Sequence, residues 1–475
     1  MPLPTLSNVL LGLAILYFAK LVILRRKAFA PLPPGPKPNP TIGNLRDLPR
    51  PGQQEWIHWL TFKELYVPIF QTIVILNDHQ VAFDLMEKRS TIYLSRPRMI
   101  FAGEMVGWEN ALTMQGYSDV EVRRFLLRVL QKPDNLIRHV RTEAGAMILK
   151  IAYGYNIEPK GRDPLIDLAN ESVDIFAGTW LVDTISLFKY IPTWFPGAEF
   201  KRRDYAWRKT LLTTIEKPYQ LVKQQMHRGS YPPSYLASLL EQGDGKLNAE
   251  EEFVSKWTAG ILYLGGADTV LPTVSSLSCF FLAMALYPEA QRKAQEEIDR
   301  ILGPNRLPTL DDRHKLPYID AMVKETFRWH PVGPMGVPYS VTEDEVYAVY
   351  LIPKGALILP NIWAFTHDPN VYREPETFRP ERFLGDKPEL NPYTTAFDET
   401  VFLSIAQSLT VFNFSKPEGE DDLQPEFLPG VISHLAPYRL DISPRSAVHE
   451  ALIHSVEVEH PWEESHAKEL QKVEC

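Results

Sequence analysis

The chain has 475 residues, 45% of them hydrophobic and 23% charged, which is ordinary globular composition and enough for a sizeable core. Its formal charge of −9, from 50 Lys+Arg against 59 Asp+Glu, argues against a nucleic-acid binder, which carries a basic balance. Two cysteines, Cys279 and Cys475, exclude a disulfide framework and a cysteine-based zinc or iron–sulfur site, and they suit a reducing compartment.

The first element is an almost unbroken apolar run from Leu6 to Leu24, close to the ~20 residues that span a bilayer. Lys20 is its single charge and lies near the end, where it can snorkel. Arg25, Arg26 and Lys27 follow, so the positive-inside rule predicts a single-pass anchor at 6–24 with the rest of the chain cytosolic. A cleaved signal peptide is the competing reading, weakened because the positive charge follows the apolar run. Residues 31–44 open with Pro31-Leu32-Pro33-Pro34-Gly35-Pro36-Lys37-Pro38, a stiff, extended hinge. Residues 45–475 form one large domain, although length alone suggests about three.

That domain reads as mainly helical with small β-sheets. Thr72–Leu76 is a β-branched run and predicts a strand. Asp134–Tyr155 and Pro288–Leu302 carry helical periodicity. Trp257–Leu286 is long and apolar and predicts a helix buried through the core, kinked or ended near Pro272. Tyr347–Ile352 and Leu357–Leu359 predict short strands, separated by a Pro353-Lys354-Gly355 turn. The acidic stretch Glu418–Asp422 predicts a solvated loop.

Three sets of residues suggest chemistry. Glu325 and Arg328 are spaced i, i+3, so they share one helix face. Arg382, in Phe378-Arg379-Pro380-Glu381-Arg382-Phe383, belongs to a Pro-bounded irregular segment. One carboxylate and two guanidiniums from distant segments predict a buried Arg–Glu–Arg knot. Taken alone, the i, i+3 pair is more often a solvated surface ion pair. Gly265 and Gly266, in mid-helix, cost roughly 1 kcal/mol each relative to alanine, a cost that a flat group packed on the backbone would explain. Asp268 and Thr269 follow them, an acid beside a hydroxyl and a candidate proton relay. Close helix packing is the plainer reading of that segment.

In order and spacing, the E-x-x-R and P-E-R-F segments, the Gly265–Thr269 segment, Arg328-Trp329-His330-Pro331 and Asn361–Pro369 together resemble cytochromes P450, most closely the fungal microsomal type often tied to secondary metabolism. The resemblance runs from the anchor to about Ser446. It implies the cytochrome P450 fold, a haem cofactor, and hydroxylation of a small apolar substrate using dioxygen and electrons from an NADPH-dependent cytochrome P450 reductase. It implies an endoplasmic-reticulum location. It also implies proton delivery by Asp268 and Thr269, with Gly265, Gly266, Glu325, Arg328 and Arg382 supporting the haem region.

The chain departs from the pattern where the family's iron-ligating cysteine should stand. Ala396-Phe397 resembles the start of the F-x-x-G-x-R-x-C-x-G loop, and Asp398 onward resembles the helix after it. The family supplies a cysteine thiolate to the iron there. A helix offering Trp and Arg to a haem propionate should follow Gly116–Asp119, yet Val120-Glu121-Val122-Arg123-Arg124 resembles a later element. Near Ile69–Thr72 a strand looks shortened. After the E-x-x-R helix, Pro338-Tyr339-Ser340 stands where a basic propionate partner is common. Two readings follow: a haem-thiolate monooxygenase whose sequence is incomplete or mis-spliced, or a haem-free, P450-like membrane protein that binds partners.

Overall fold

The computed structural model describes residues 30–36, 39, 44–50, 52–61, 65–68, 72–86, 88–89, 119–159, 161–176, 190–194, 199–242, 248–267, 271–392, 398–420, 423–430 and 432–473. The apolar run at 6–24 therefore lies outside the described residues. Among those that are described, no helix is long and apolar enough to cross a membrane.

The chain divides into two units. The smaller is built on a four-stranded sheet of order β1-β2-β6-β3, from β1 (Leu65–Pro68), β2 (Thr72–Leu76), β6 (Leu357–Pro360) and β3 (Tyr339–Ser340). The predicted strand at Thr72–Leu76 is present and pairs parallel to β6, with Ile73 opposite Leu357. Helix α1 (His79–Met86) follows it. The strand expected over Tyr347–Ile352 is instead a two-residue hairpin, β4 (Glu345–Tyr347) against β5 (Tyr350–Ile352). Ala348 turns the chain there with a φ of 53°, a left-handed conformation that interrupts any strand. The start of the Pro-rich hinge is tied down, because the Leu351 amide donates to the Pro31 carbonyl at 2.7 Å.

The larger unit holds the long helices: α2 (Asp119–Gln131), α3 (Leu136–Tyr153), α4 (Pro164–Phe176), α5 (Glu199–His227), α6 (Tyr235–Gln242), α7 (Ala249–Ala267), α8 (Leu271–Leu286), α9 (Pro288–Leu302), α10 (Pro317–Trp329), α11 (Asp398–Val411) and α12 (Ala447–Glu459). A two-stranded ribbon, β7 (Phe412–Ser415) with β8 (Asp441–Pro444), follows α11. The fold is thus mainly α with small sheets, as expected. Helix α9 matches its predicted bounds. Helix α3 is shorter than predicted at both ends. Pro133–Asn135 forms a 3-10 turn before it, and Gly154 stops it with a φ of 66°. A Cβ at Gly154 would also meet the Pro232 side chain at 2.7 Å, so the helix cannot continue through it.

Two apolar cores occupy this unit, and α3 faces both. Val140, Ala144 and Met147 join α2, α8, α9, α10 and α11, while Ile148, Leu149 and Ala152 join α4, α5, α6 and α7. The helix expected over Trp257–Leu286 is described in two parts, α7 up to Ala267 and α8 from Leu271, with residues 268–270 outside the described residues. Pro272 lies in α8.

Candidate functional site

The predicted Glu325–Arg328–Arg382 knot forms. Helix α10 turns Glu325 and Arg328 inward, both 0% exposed, because its outer face is taken by Asp320 and Lys324, an i, i+4 ion pair at 2.8 Å. His330, in extended backbone, ends the helix. The Phe378–Phe383 segment is anchored by apolar packing. Phe378 packs against Trp329 and Tyr287, and Phe383 lies with Ala321 and Tyr372. A 3-10 turn at Pro380–Phe383 then carries Arg382 inward.

Glu325 is the acceptor at the centre. Arg328 Nε donates to Oε2 at 2.8 Å and Nη2 to Oε1 at 2.9 Å, a bidentate pair. The Arg379 backbone amide donates to Oε1 at 2.7 Å. Arg382 Nε lies 3.0 Å from Oε2 but out of line for a hydrogen bond, so that contact is an ion pair. The remaining guanidinium hydrogens meet carbonyls: Arg328 to Thr366 and Thr377, and Arg382 to Arg373, Glu374 and Thr377.

Sequence reasoning missed one member. Glu389 accepts from Arg382 Nη1 at 2.7 Å, which brings the charges to two guanidiniums and two carboxylates. Nothing in the spacing announces it, since the chain turns at Gly385 in a left-handed conformation, with φ of 85°. Its neighbour Glu381 is also engaged, accepting from Tyr318 Oη at 2.9 Å and Lys293 Nζ at 2.8 Å. His367 stacks on Trp363 at 4.1 Å. Burial, with the Arg328 charge adding to it, lowers its pKa to about 3, so it stays neutral.

The other expected site residues divide. Gly265 and Gly266 lie near the end of the described part of α7, which runs to Ala267. Asp268 and Thr269 lie outside the described residues. The structure therefore brings together Glu325, Arg328 and Arg382 and leaves the proton-relay expectation where the sequence left it.

The donor set does not fit a haem thiolate. No cysteine stands between Cys279 and Cys475. Cys279 is 1% exposed inside α8 and surrounded by the first core. Burial raises the pKa of its thiol, which suppresses the thiolate that would be the ligand. Histidine offers no evident substitute. His330 stacks on Phe427 at 3.5 Å with its Nε2 bonded to Ser433, and His434 Nδ1 is held by Ser275 Oγ at 2.7 Å. Among the described residues no group of three His, Cys, Asp or Glu could hold a metal ion.

A second buried charge cluster was not expected. Glu121, Arg124 and Arg128 of α2 meet Glu143 of α3 and Ser404, Gln407 and Ser408 of α11, each no more than 8% exposed. Arg124 pairs with Glu121 at 2.7 Å and Arg128 with the same carboxylate at 3.4 Å. Ser404 donates to Glu143 at 2.8 Å. Trp462 lies over both guanidiniums, at 4.9 and 5.1 Å. Unlike the knot, this cluster is poorly satisfied. Arg124 Nε, Arg128 Nε and Nη1, Glu143 Oε2, Gln407 Oε1 and Ser408 Oγ have no hydrogen-bond partner. Burial drives the Glu143 carboxyl up to about 8 and lowers the Arg128 pKa.

Comparison with known proteins bears on both clusters. The cytochrome P450 family model matches residues 138–397, ending one residue before α11. The chain is 43% identical to the cytochrome P450 monooxygenase ppsD of Aspergillus oryzae over 523 aligned positions, covering 98% of each. It is 41% identical to the cytochrome P450 monooxygenase claR of Ampulloclitocybe clavipes, covering 98% of this chain and 96% of that one. It is 40% identical to the O-methylsterigmatocystin oxidoreductase of Aspergillus flavus, covering 98% and 97%. An alignment of 523 positions exceeds the 475 residues of the chain by 48, so at least that many positions of the first relative have no counterpart here. On family match and relatives alike, the chain belongs to the cytochrome P450 family.

Proposed function

We propose that the working form of this protein is a haem-thiolate monooxygenase that hydroxylates a small apolar substrate, and that the 475-residue chain is a shortened version of it. One observation carries the reading: the Glu325–Arg328–Arg382 knot is assembled and fully buried in a chain 43% identical to a P450 monooxygenase. An assembly of this kind is costly to keep unless its partners persist, so a chain drifting free of the fold would lose it early.

The shortening is supported by the 48 surplus alignment positions and by a family match that stops at 397. In the working form the haem supplies oxygen activation, and this chain's own knot would brace the backbone beneath it. Asp268 and Thr269 are the proposed proton donors. Electrons are proposed to come from an NADPH-dependent cytochrome P450 reductase. The apolar run at 6–24, followed by three basic residues, supports a single-pass anchor with the domain on the cytosolic face of the endoplasmic reticulum. A relative named as an O-methylsterigmatocystin oxidoreductase supports a small secondary metabolite as substrate.

The test is to sequence the transcript across Asp119/Val120 and Phe397/Asp398, then express any longer product. A reduced, carbon monoxide-bound thiolate absorption band from that product is the expected result. Transcripts that confirm both junctions as the sole message would sink the reading.

A further inference from the structure

We propose that the 475-residue chain folds without haem, its helices α2 and α11 closing on each other along the charged seam of Glu121, Arg124, Arg128, Glu143, Ser404 and Gln407. Three observations converge on this. The donor set lacks a thiolate, since the one described cysteine is buried in an apolar helix and its ionisation is suppressed.

The second observation is the covering of the helices. In α11, Val401, Phe402, Leu403, Ile405, Ala406 and Leu409 are at most 1% exposed. Its polar residues are buried too, with protein for partners where they have any. Gln407 donates to Asp119 at 2.7 Å and to the Pro308 carbonyl at 3.0 Å, and Thr410 returns to Ala406. Every residue of α8 from Thr273 to Ala285 is buried as well. Protein thus covers all faces of α11 from residue 400 onward, which leaves its turns no face for a flat ligand.

The third observation locates the closure. Six buried atoms of Arg124, Arg128, Glu143, Gln407 and Ser408 have no hydrogen-bond partner, and they lie on α2, α3 and α11, of which α2 packs on both of the others. Native interiors rarely leave several such groups together. With Glu143 protonated below pH ~8, the seam holds two guanidiniums against the Glu121 carboxylate. One positive charge is then left without a buried counter-charge, and an uncompensated buried charge is costly.

The proposal rests on the reading that this chain is a shortened form, and its test is separate from that one. The full 475-residue chain is expressed with and without the haem precursor 5-aminolevulinic acid. Expected are no haem co-purifying, no thiolate band after reduction and carbon monoxide, and a Tm unchanged within about 2 °C. A band, or a Tm raised by the precursor, overturns the proposal. If a band appears and Cys279→Ala removes it, the buried thiol is the ligand and the proposal fails on its first observation. Arg128→Met should leave Tm equal or higher, and a lower Tm overturns the forced closure at the seam. A band from a longer product and none from this chain upholds both readings. Bands from both overturn the present inference alone, and bands from neither overturn the proposed monooxygenase alone.

Discussion

The knot and the seam are both buried ion clusters in the same unit, and they are built to opposite standards. The knot balances Arg328 and Arg382 with Glu325 and Glu389, gives the guanidinium hydrogens five carbonyl contacts, and leaves Arg382 Nε as its one atom without a hydrogen bond. The seam leaves six polar atoms of five residues unpartnered. Buried charge is tolerable when every lone pair and proton is met, and a liability when it is not. The contrast separates a buried charge cluster that is met by partners from one that is not.

Four measurements test that contrast. Glu325→Ala should be the most damaging, since it strands the buried Arg328 guanidinium and takes from Arg382 one of its two carboxylates. A loss of about 3–5 kcal/mol in denaturant-derived stability is expected, and a loss below ~1 kcal/mol would show that the knot is not balanced by its carboxylate. The second concerns pH. Glu143, raised to about 8 in the folded chain against an ordinary 4.5, binds its proton more tightly folded than unfolded. Its favourable contribution is therefore complete below ~4.5 and fades as pH rises towards 8. Ser404, Arg128 and Glu121 are the groups acting on it. Histidines 330, 367 and 434, all held below their ordinary value by burial, work in the other direction and destabilise the fold below ~6.5. As pH rises from 6.5 to 8 the Glu143 contribution falls while the histidine penalty is still being relieved, so over that range the parent should lose stability relative to Glu143→Gln. Equal slopes for variant and parent would remove Glu143 as the cause.

Third, Glu389→Gln keeps the shape but weakens one charge-assisted contact to Arg382. A cost of about 1–2 kcal/mol follows, smaller than for Glu325 because Glu389 reaches solvent, with 16% of its side chain exposed. Fourth, Lys324→Ala removes the exposed pair with Asp320 on the outer face of α10. The expected effect is within about 0.5 kcal/mol, which makes it a control for the helix itself.

The knot was legible in the sequence because its three core members combine a helical i, i+3 spacing with a Pro-bounded segment, two local patterns that survive without knowledge of the fold. Glu389 and the Arg379 amide were not legible, since only the turn at Gly385 and the 3-10 segment bring them in. The seam was hidden for a different reason. Glu121, Arg124 and Arg128 sit at i, i+3 and i+7 on one helix, which reads as a solvated ion-paired face. Burial comes from α3, α11 and Trp462, distant elements that no local spacing encodes.

Glu325, Thr366, Thr377, Arg382 and Glu389 fall within about 65 consecutive residues, yet the contacts of α10 within the knot span 38 to 54 residues, so closing it is a non-local event. It needs α10 and the Phe378–Phe383 segment in place together, and α10 in turn packs on α8, α9 and α11. Pulse-labelled hydrogen exchange during refolding would show this as protection of the Arg379 and Glu389 amides no earlier than that of α10. The knot then works as a clasp, fastened once the helices around it have assembled.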